Sequence, residues 1–298
     1  MSEHLPRRLW WVLAGLTLAW GVSWSAMKVA LSEVAPWTFR SICLAAGAGV
    51  LFAVLRAGRQ PLGIARSQWG RVALVAFFTI TCWNVLVAYG VRLIPSGRAA
   101  ILAYTMPAMA IPLSVWLLRE RLTARRVAGL ALGMGGIALL VGDELQRIGA
   151  APLGVLYTLC AALSWAIGTV LQKKYPIDAP LPAQTAWLML VGGVPVYAGA
   201  LLFDWGKPFD IGLMPSLALA YNVVVSFAWG YWAWIKLVES VSVTVFSICM
   251  LLTPVVGVFS GMLLLGERPG WTEFGALALV IASVLSVVLP AKSKGVNA

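Results

Sequence analysis

Ten stretches of this chain contain no Asp, Glu, Lys or Arg and are built mainly of apolar residues. They run Leu9 to Met27, Ser41 to Leu55, Val72 to Val91, Ala99 to Leu118, Val127 to Gly142, Ile148 to Gln172, Ala179 to Phe203, Ile211 to Ile235, Ser240 to Gly266 and Phe274 to Ala291. A helix needs about 20 residues, within ~17 to 25, to cross ~30 Å of hydrocarbon. Every backbone amide there must be bonded within its own segment, so each run is predicted to be a helix. The two shortest runs, the second and fifth, need Arg40 and Arg125 or Arg126 to snorkel toward the headgroups. Composition closes the soluble alternative. Only 11% of residues are charged, against about 25% in a soluble domain, too few to cover a water-exposed surface. The expected fold is an all-α integral membrane protein with ten transmembrane helices.

Arg7 and Arg8 precede the first run as they would in a signal peptide. No small-residue cleavage site follows a short apolar core, and Trp20-Gly21-Val22-Ser23-Trp24 continues the apolar stretch, so the segment is expected to be retained. The net charge of +11 is then a statement about orientation, because cytoplasmic loops hold the excess of Lys and Arg. With the N-terminus inside, the inner side receives 15 basic residues and the outer side 7. Both termini are expected to be cytoplasmic, in the inner (plasma) membrane of the cell. The basic residues lie in short loops between spans and not on one face with interleaved aromatics, so membrane lipid, not nucleic acid, is their expected partner.

The four cysteines, Cys43, Cys82, Cys160 and Cys249, lie inside apolar runs without C-x-x-C spacing and read as reduced small hydrophobes. The only histidine is His4. No His cluster can bind a metal, and no cofactor is expected. An enzyme built on Ser23 would need a base, and the membrane segments hold no His to serve as one. A channel would show a ring of charges or a filter sequence, and none is visible.

The second half of the sequence repeats the first. At a separation of 147, Pro107 falls on Pro254, Leu117-Leu118 on Leu264-Leu265, Glu120-Arg121 on Glu267-Arg268, and Leu130-Ala131-Leu132 on Leu277-Ala278-Leu279; nearer the start the separation is 145, pairing Trp20 with Trp165 and Lys28 with Lys173. Five crossings per half is an odd number, so the second half enters the membrane from the opposite side. The expected units are residues 9–142 and 148–291, divided by the short segment Asp143 to Pro152. Inverted repeats of this kind mark secondary transporters, with a substrate site near the midplane where the halves meet.

The residues that carry the repeat resemble the EamA family of the drug/metabolite transporter superfamily. Leu18-Ala19-Trp20-Gly21 running to Lys28 is similar to the opening of that family's repeat, as are Pro107 followed thirteen residues on by Glu120, and Pro254 followed thirteen on by Glu267. The likeness covers both halves, from Trp10 to Leu289. It implies a ten-helix exporter of amino acids, drugs or other metabolites, with helices one, three, four, six, eight and nine around a central cavity. Two positions depart from the pattern: Arg119 stands where the family usually has Gly, and Ala166 where Gly follows Trp165. The 15 tryptophans point by substrate complementarity to the YddG-like branch, whose members export aromatic amino acids.

Trp10, Trp11, Trp37, Trp69, Trp187, Trp205 and Trp271 fall at helix ends, where an interfacial belt wants amphipathic rings. Trp20, Trp165 and Trp229 fall near mid-span and need an internal partner or a wet cavity; core packing is the alternative. Asn222, Ser226 and Trp229 are spaced i, i+4, i+7, so on an α-helix one face carries an amide, a hydroxyl and an indole. Asn84, near Thr81, offers a similar polar spot, or simply joins two helices. Tyr104, one turn before Pro107, presents a hydroxyl to a substrate or packs between helices. Pro107, Pro112 and Pro254 are expected to bend their helices, and the matched pair Pro107 and Pro254 reads as a gating kink. Gly129-x-x-x-Gly133 and Gly257-x-x-x-Gly261 read as close helix contacts. Lys28 and Lys173 suit the C-terminal ends of their helices, and Glu120 and Glu267 anchor loops. No Asp or Glu lies inside any run, so the chain either facilitates diffusion or couples through groups at the cavity mouth. The substrate expected from Trp20, Asn84, Tyr104, Trp165, Asn222, Ser226 and Trp229 is a small molecule with a planar apolar end and a zwitterionic end: an aromatic amino acid. An exporter of other small metabolites or drugs is the alternative.

Overall fold

The structure is a computed structural model that describes residues 7–93, 102–145, 152–207, 209–266 and 271–288. His4, Arg98, Arg147, Glu267, Arg268, Lys292 and Lys294 lie outside these residues. Among the described residues every regular element is helical. In chain order they are α1 (Arg7–Ala30), α2 (Pro36–Ala57), a short 3₁₀ turn (Arg66–Gln68), α3 (Trp69–Ala76), a π-helical segment π1 (Phe77–Cys82), α4 (Trp83–Leu93), α5 (Met106–Leu118), α6 (Ala124–Leu145), α7 (Pro152–Lys174), α8 (Leu181–Phe203), α9 (Leu213–Tyr221), a second π segment π2 (Asn222–Trp229), α10 (Gly230–Ser240), α11 (Val243–Met250), α12 (Leu252–Leu265) and α13 (Trp271–Val288). Seven helical stretches among the described residues are long and apolar enough to cross a membrane, and α5 is a shorter apolar helix. This is a multi-pass membrane protein.

The helices pair mostly across the two halves of the sequence: α6 packs on α13, α2 on α8, α1 on α12, and α4 on α7. Small residues make these approaches possible, as lipid-embedded helices require. A Cβ on Gly21 would run into the Val256 side chain and meet the Gly257 backbone nitrogen at 3.2 Å, and a Cβ on Gly133 would run into Leu251 and meet Ser283 Oγ at 2.9 Å. Ser283 donates to the Gly129 carbonyl and Ser25 bonds Ser260 at 2.9 Å, so hydroxyls bridge the seams where backbones lie close. Both Gly-x-x-x-Gly sites thus contribute a glycine to an interhelical contact.

The two π segments begin 145 residues apart, and their surroundings are reciprocal. π1 packs on α7 and α8, while π2 packs on α1 and α2. Each sits against a glycine, and those two glycines are also 145 apart: Gly192 of α8 faces Ile80 and Ala76, and Gly47 of α2 faces Phe227 and the Ala228 backbone. A wider i→i+5 turn pushes backbone outward, and a glycine opposite leaves room for it. The second pair of matched features is a break. The chain turns at Tyr104–Thr105 before α5 and at Leu251 before α12, and both turns are held by i→i+3 bonds, Thr105 N to Leu102 O at 3.1 Å and Leu251 N to Ile248 O at 3.1 Å. Pro107 and Pro254 therefore lie in the first turns of restarted helices, where a missing N–H costs nothing. The sequence spacing predicts kinks within continuous helices at these prolines; the structure instead places them at breaks between helices.

Several end-of-helix residues are placed differently from their expected interfacial positions. Trp37, expected in the interfacial belt, is buried against Gly199 with Phe203 and Tyr89 around it. Lys173 does not snorkel: its Nζ donates to the carbonyls of Val238 and Val241 at the end of α10. Glu120 Oε1 accepts from Val243 N at 2.8 Å and so ties the end of α5 to the start of α11. Asp204, just beyond α8, accepts from the Thr38 backbone N–H at 2.9 Å near the start of α2 and from Lys207 Nζ at 2.7 Å. Burial pushes its carboxyl up, but the Lys207 and Thr38 bonds outweigh that and hold it below the ordinary carboxylate range.

The helix ends generate two tests of stability. Arg119 ends α5 in the left-handed region at φ 55, where the matched residue 147 further on is Gly266 at φ 69. A non-glycine residue is strained there by ~1–2 kcal/mol. Arg119→Gly is expected to stabilise the protein by about 1 kcal/mol, read as a Tm raised by a few degrees in detergent, while Arg119→Val lowers it. For Asp204, the folded carboxyl titrates below the unfolded value of about 4, so its stabilisation is complete above that pH and fades as pH falls through the lower, folded value. Lys207 is half exposed, which limits the pair to at most ~1 kcal/mol. The Tm gap between wild type and Asp204→Asn should stay constant from pH 8 to 5 and close at lower pH.

Candidate functional site

A cavity of about 80 Å³ opens between α1, α2, α4, α7, π2 and α10, with Tyr104 entering it from the break before α5. Its walls are aromatic. Trp165 on α7 stands at the centre, with ring centroids 5.7 Å from Trp20, 4.8 Å from Trp83, 5.7 Å from Tyr231 and 5.1 Å from Trp234, mostly edge to face. Trp24 approaches Tyr104 at 6.4 Å, its Nε1 donating to the Tyr104 hydroxyl at 3.4 Å. Edge-to-face indoles hold one another's orientation, so the wall is a preformed surface.

The polar groups are few and several are unspent. Trp20 Nε1 donates to the Ser226 carbonyl at 2.9 Å, which fixes α1 against π2. Asn222 Nδ2 donates to Ala218 O at 2.9 Å and Asn84 Nδ2 to Ile80 O at 2.8 Å. Ser226 Oγ, Asn84 Oδ1 and Trp165 Nε1 are buried without a protein partner. Buried polar atoms are normally satisfied, so orphans gathered around one cavity mark places for a ligand or solvent.

Of the expected site residues, the structure brings Trp20, Tyr104, Trp165, Asn222 and Ser226 together in the cavity wall. Asn84 is buried just behind it, next to the Tyr231 hydroxyl. Trp229 does not join them. Its ring lies on Gly15 of α1, where a Cβ would come within 2.7 Å of it. The i, i+4, i+7 face assumes ~100° per residue; π2 turns each residue through less, so Ser226 stays close to Asn222's face while Trp229, seven residues on, swings away from it.

The sequence pattern does not mark Trp24, Trp83, Tyr231 and Arg40, all of which line the cavity. Trp24 carries a signal, since it lies one turn after Trp20 on the same face. Arg40 reads from sequence as the boundary of a short apolar run. In the structure it sits one turn inside the span Pro36–Ala57, among the lining residues, and among the described residues it is the only charged one there.

Comparison with known proteins now defines the class. The model of the EamA-like transporter family matches residues 9–142 and again residues 152–289, and the chain belongs to that family. Its relatives include an uncharacterized transporter, YoaV, of Bacillus subtilis (strain 168), 26% identical over 86% of this chain and 88% of the relative. A probable amino-acid metabolite efflux pump of Escherichia coli (strain K12) is also 26% identical, over 90% of this chain and 91% of that protein. One solved crystal structure superposes with a TM-score of 0.81 at 19% identity, covering 95% of this chain and 96% of that one, which speaks to the fold alone.

If the breaks give the cavity-lining segments freedom to move, restoring helix there should slow transport. Pro107→Ala and Pro254→Ala each allow the helix to run through the break, because alanine supplies the missing N–H and favours helix. Flux is expected to fall several-fold in both variants with insertion and Tm near wild type. Wild-type flux in both would assign the prolines to packing.

Proposed function

We propose that this transporter exports amino acids with a planar apolar side chain. The reading is a ten-helix membrane protein made of two inverted five-helix halves, 9–142 and 148–291, working by alternating access in the inner membrane with both termini cytoplasmic. The observation that carries the substrate is the cavity wall, in which Trp20, Trp83, Trp165, Tyr104 and Tyr231 offer flat faces beside a few hydrogen-bonding groups. The matched π segments and helix breaks, with their reciprocal packing, support the inverted arrangement. The relative described as a probable amino-acid metabolite efflux pump supports the substrate class and the outward direction.

The cavity's size favours a second reading, export of smaller metabolites. Its volume of about 80 Å³ is near half that of a ~150 Å³ engineered cavity that takes up benzene. An indole or phenyl side chain enters this conformation only after the walls part, whereas a smaller solute fits with less movement.

Flux measurements decide between the two. In proteoliposomes, Trp, Phe and Tyr should move faster than Thr and Ala. Removing one aromatic wall contact forfeits about 0.5–1.5 kcal/mol beyond area burial, so Trp20→Ala and Trp165→Ala should weaken aromatic flux several-fold or more, and Trp229→Ala, off the wall, should leave selectivity intact. Equal rates for Thr, Ala and Phe would favour the smaller-metabolite reading.

A further inference from the structure

Among the described residues Arg40 is a guanidinium without a counter-ion, in a cavity without an acid. Its hydrogen bond is the weak one from Nη2 to Met27 Sδ at 3.4 Å, and its other neighbours are the Phe39 ring at 5.9 Å, the Tyr231 hydroxyl and Cys43. Asp204, which accepts from Thr38 two residues before Arg40, is committed to Thr38 and Lys207. Among the described residues that line the cavity there is no Asp or Glu. The site does not suit a structural cation: it is near the N-terminal end of α2, where the helix dipole disfavours positive charge. A cation placed inside an apolar span with neither partner nor favourable dipole is costly, and such residues in membrane helices serve a ligand.

We propose that Arg40 is the carboxylate-binding group of this transporter, and that the carried species is recognised as an apolar monocarboxylate whose amino group is dispensable. This deepens the proposed function and rests on its assignment of the cavity as the transport site. A guanidinium binds a carboxylate through two parallel N–H···O bonds and fixes its orientation. The aromatic wall receives the apolar body. An ammonium group finds only neutral acceptors, such as Ser226 Oγ, and no compensating charge. Discrimination therefore falls on the acid end: the deaminated acid binds at least as well as the amino acid, and the decarboxylated amine does not bind. A deaminated acid, as a net anion, leaves an inside-negative cell down the electrical gradient without a proton relay, whereas a zwitterionic amino acid carries no net charge for that gradient to act on.

The test is ligand binding to the purified full chain in detergent, read as the shift in Tm and the Kd derived from it, with 3-phenylpropanoate, phenylalanine and phenethylamine as probes. In wild type the two carboxylates are expected to raise Tm and the amine to leave it unchanged. Arg40→Gln should weaken carboxylate binding at least tenfold while its unliganded Tm stays equal or rises, because a buried unpaired charge has been removed; Arg40→Lys should bind in between. A structural arginine would instead lower the unliganded Tm of both variants. The proposal is overturned if phenethylamine binds wild type as well as 3-phenylpropanoate does, or if Arg40→Gln keeps the wild-type Kd. Should Arg40→Gln not purify, the Arg40→Lys titration and the wild-type panel decide the same question. Counterflow of phenylalanine reports separately on the function: binding through Arg40 without phenylalanine counterflow removes the amino-acid reading alone, and a wild type that binds no probe removes both.

Discussion

The rest of this structure depends on one constraint: within hydrocarbon a helix keeps its backbone hydrogen bonds to itself, and any departure has to be enclosed by protein or face a cavity. Most of the chain obeys by forming long apolar helices. The departures are concentrated. Two π turns and two breaks interrupt the regular ladder; π2 and the Tyr104–Thr105 turn contribute residues to the aromatic cavity, and π1 directly precedes Trp83 of its wall. The other, at Leu251, is fully buried. Irregular backbone is tolerated where glycines admit it, at Gly47 and Gly192, and where it borders the cavity.

Much of the fold is legible in the sequence because hydrophobicity and charge act over long stretches. Charge-free runs set the positions of the helices, and the paired positions Trp20 with Trp165 and Pro107 with Pro254 reveal the repeat. The site is legible where the periodicity is regular: Trp20 and Trp165 on α-helices meet as their mid-span placement implies. It is not legible where periodicity changes without a compositional sign. Nothing in Asn222-Val223-Val224-Val225-Ser226-Phe227-Ala228-Trp229 announces a π turn, so a face that includes Trp229 rests on the wrong angle. Arg40 is hidden by a different ambiguity. One basic residue next to an apolar run is consistent with a headgroup anchor or a cavity ligand, and only the packing of α1 and α10 around it separates the two.

The pairs of matched features do not have equal chemistry. Gly266 occupies its left-handed position freely, while Arg119 holds the equivalent place under strain. Arg40 has Thr185 as its counterpart 145 residues on, so among the described residues charge enters the cavity from one half only. In the proposed function, duplicated architecture would supply the scaffold for alternating access, and asymmetric side chains at equivalent positions the selectivity. Backbone symmetry and ligand chemistry are therefore separable in this fold.

The pairing of helices across halves has a consequence for how the protein is made. Because α1, α2, α4 and α6 find their main partners in α12, α8, α7 and α13, the faces of the first half stay uncovered in lipid until the second half leaves the ribosome. During that interval lipid or an insertion chaperone must shield Gly21, Gly47 and Gly133, whose seats are still empty. The order of synthesis thus imposes a waiting period that neither half can shorten by folding alone, and the protein's assembly is completed late, by its last helices.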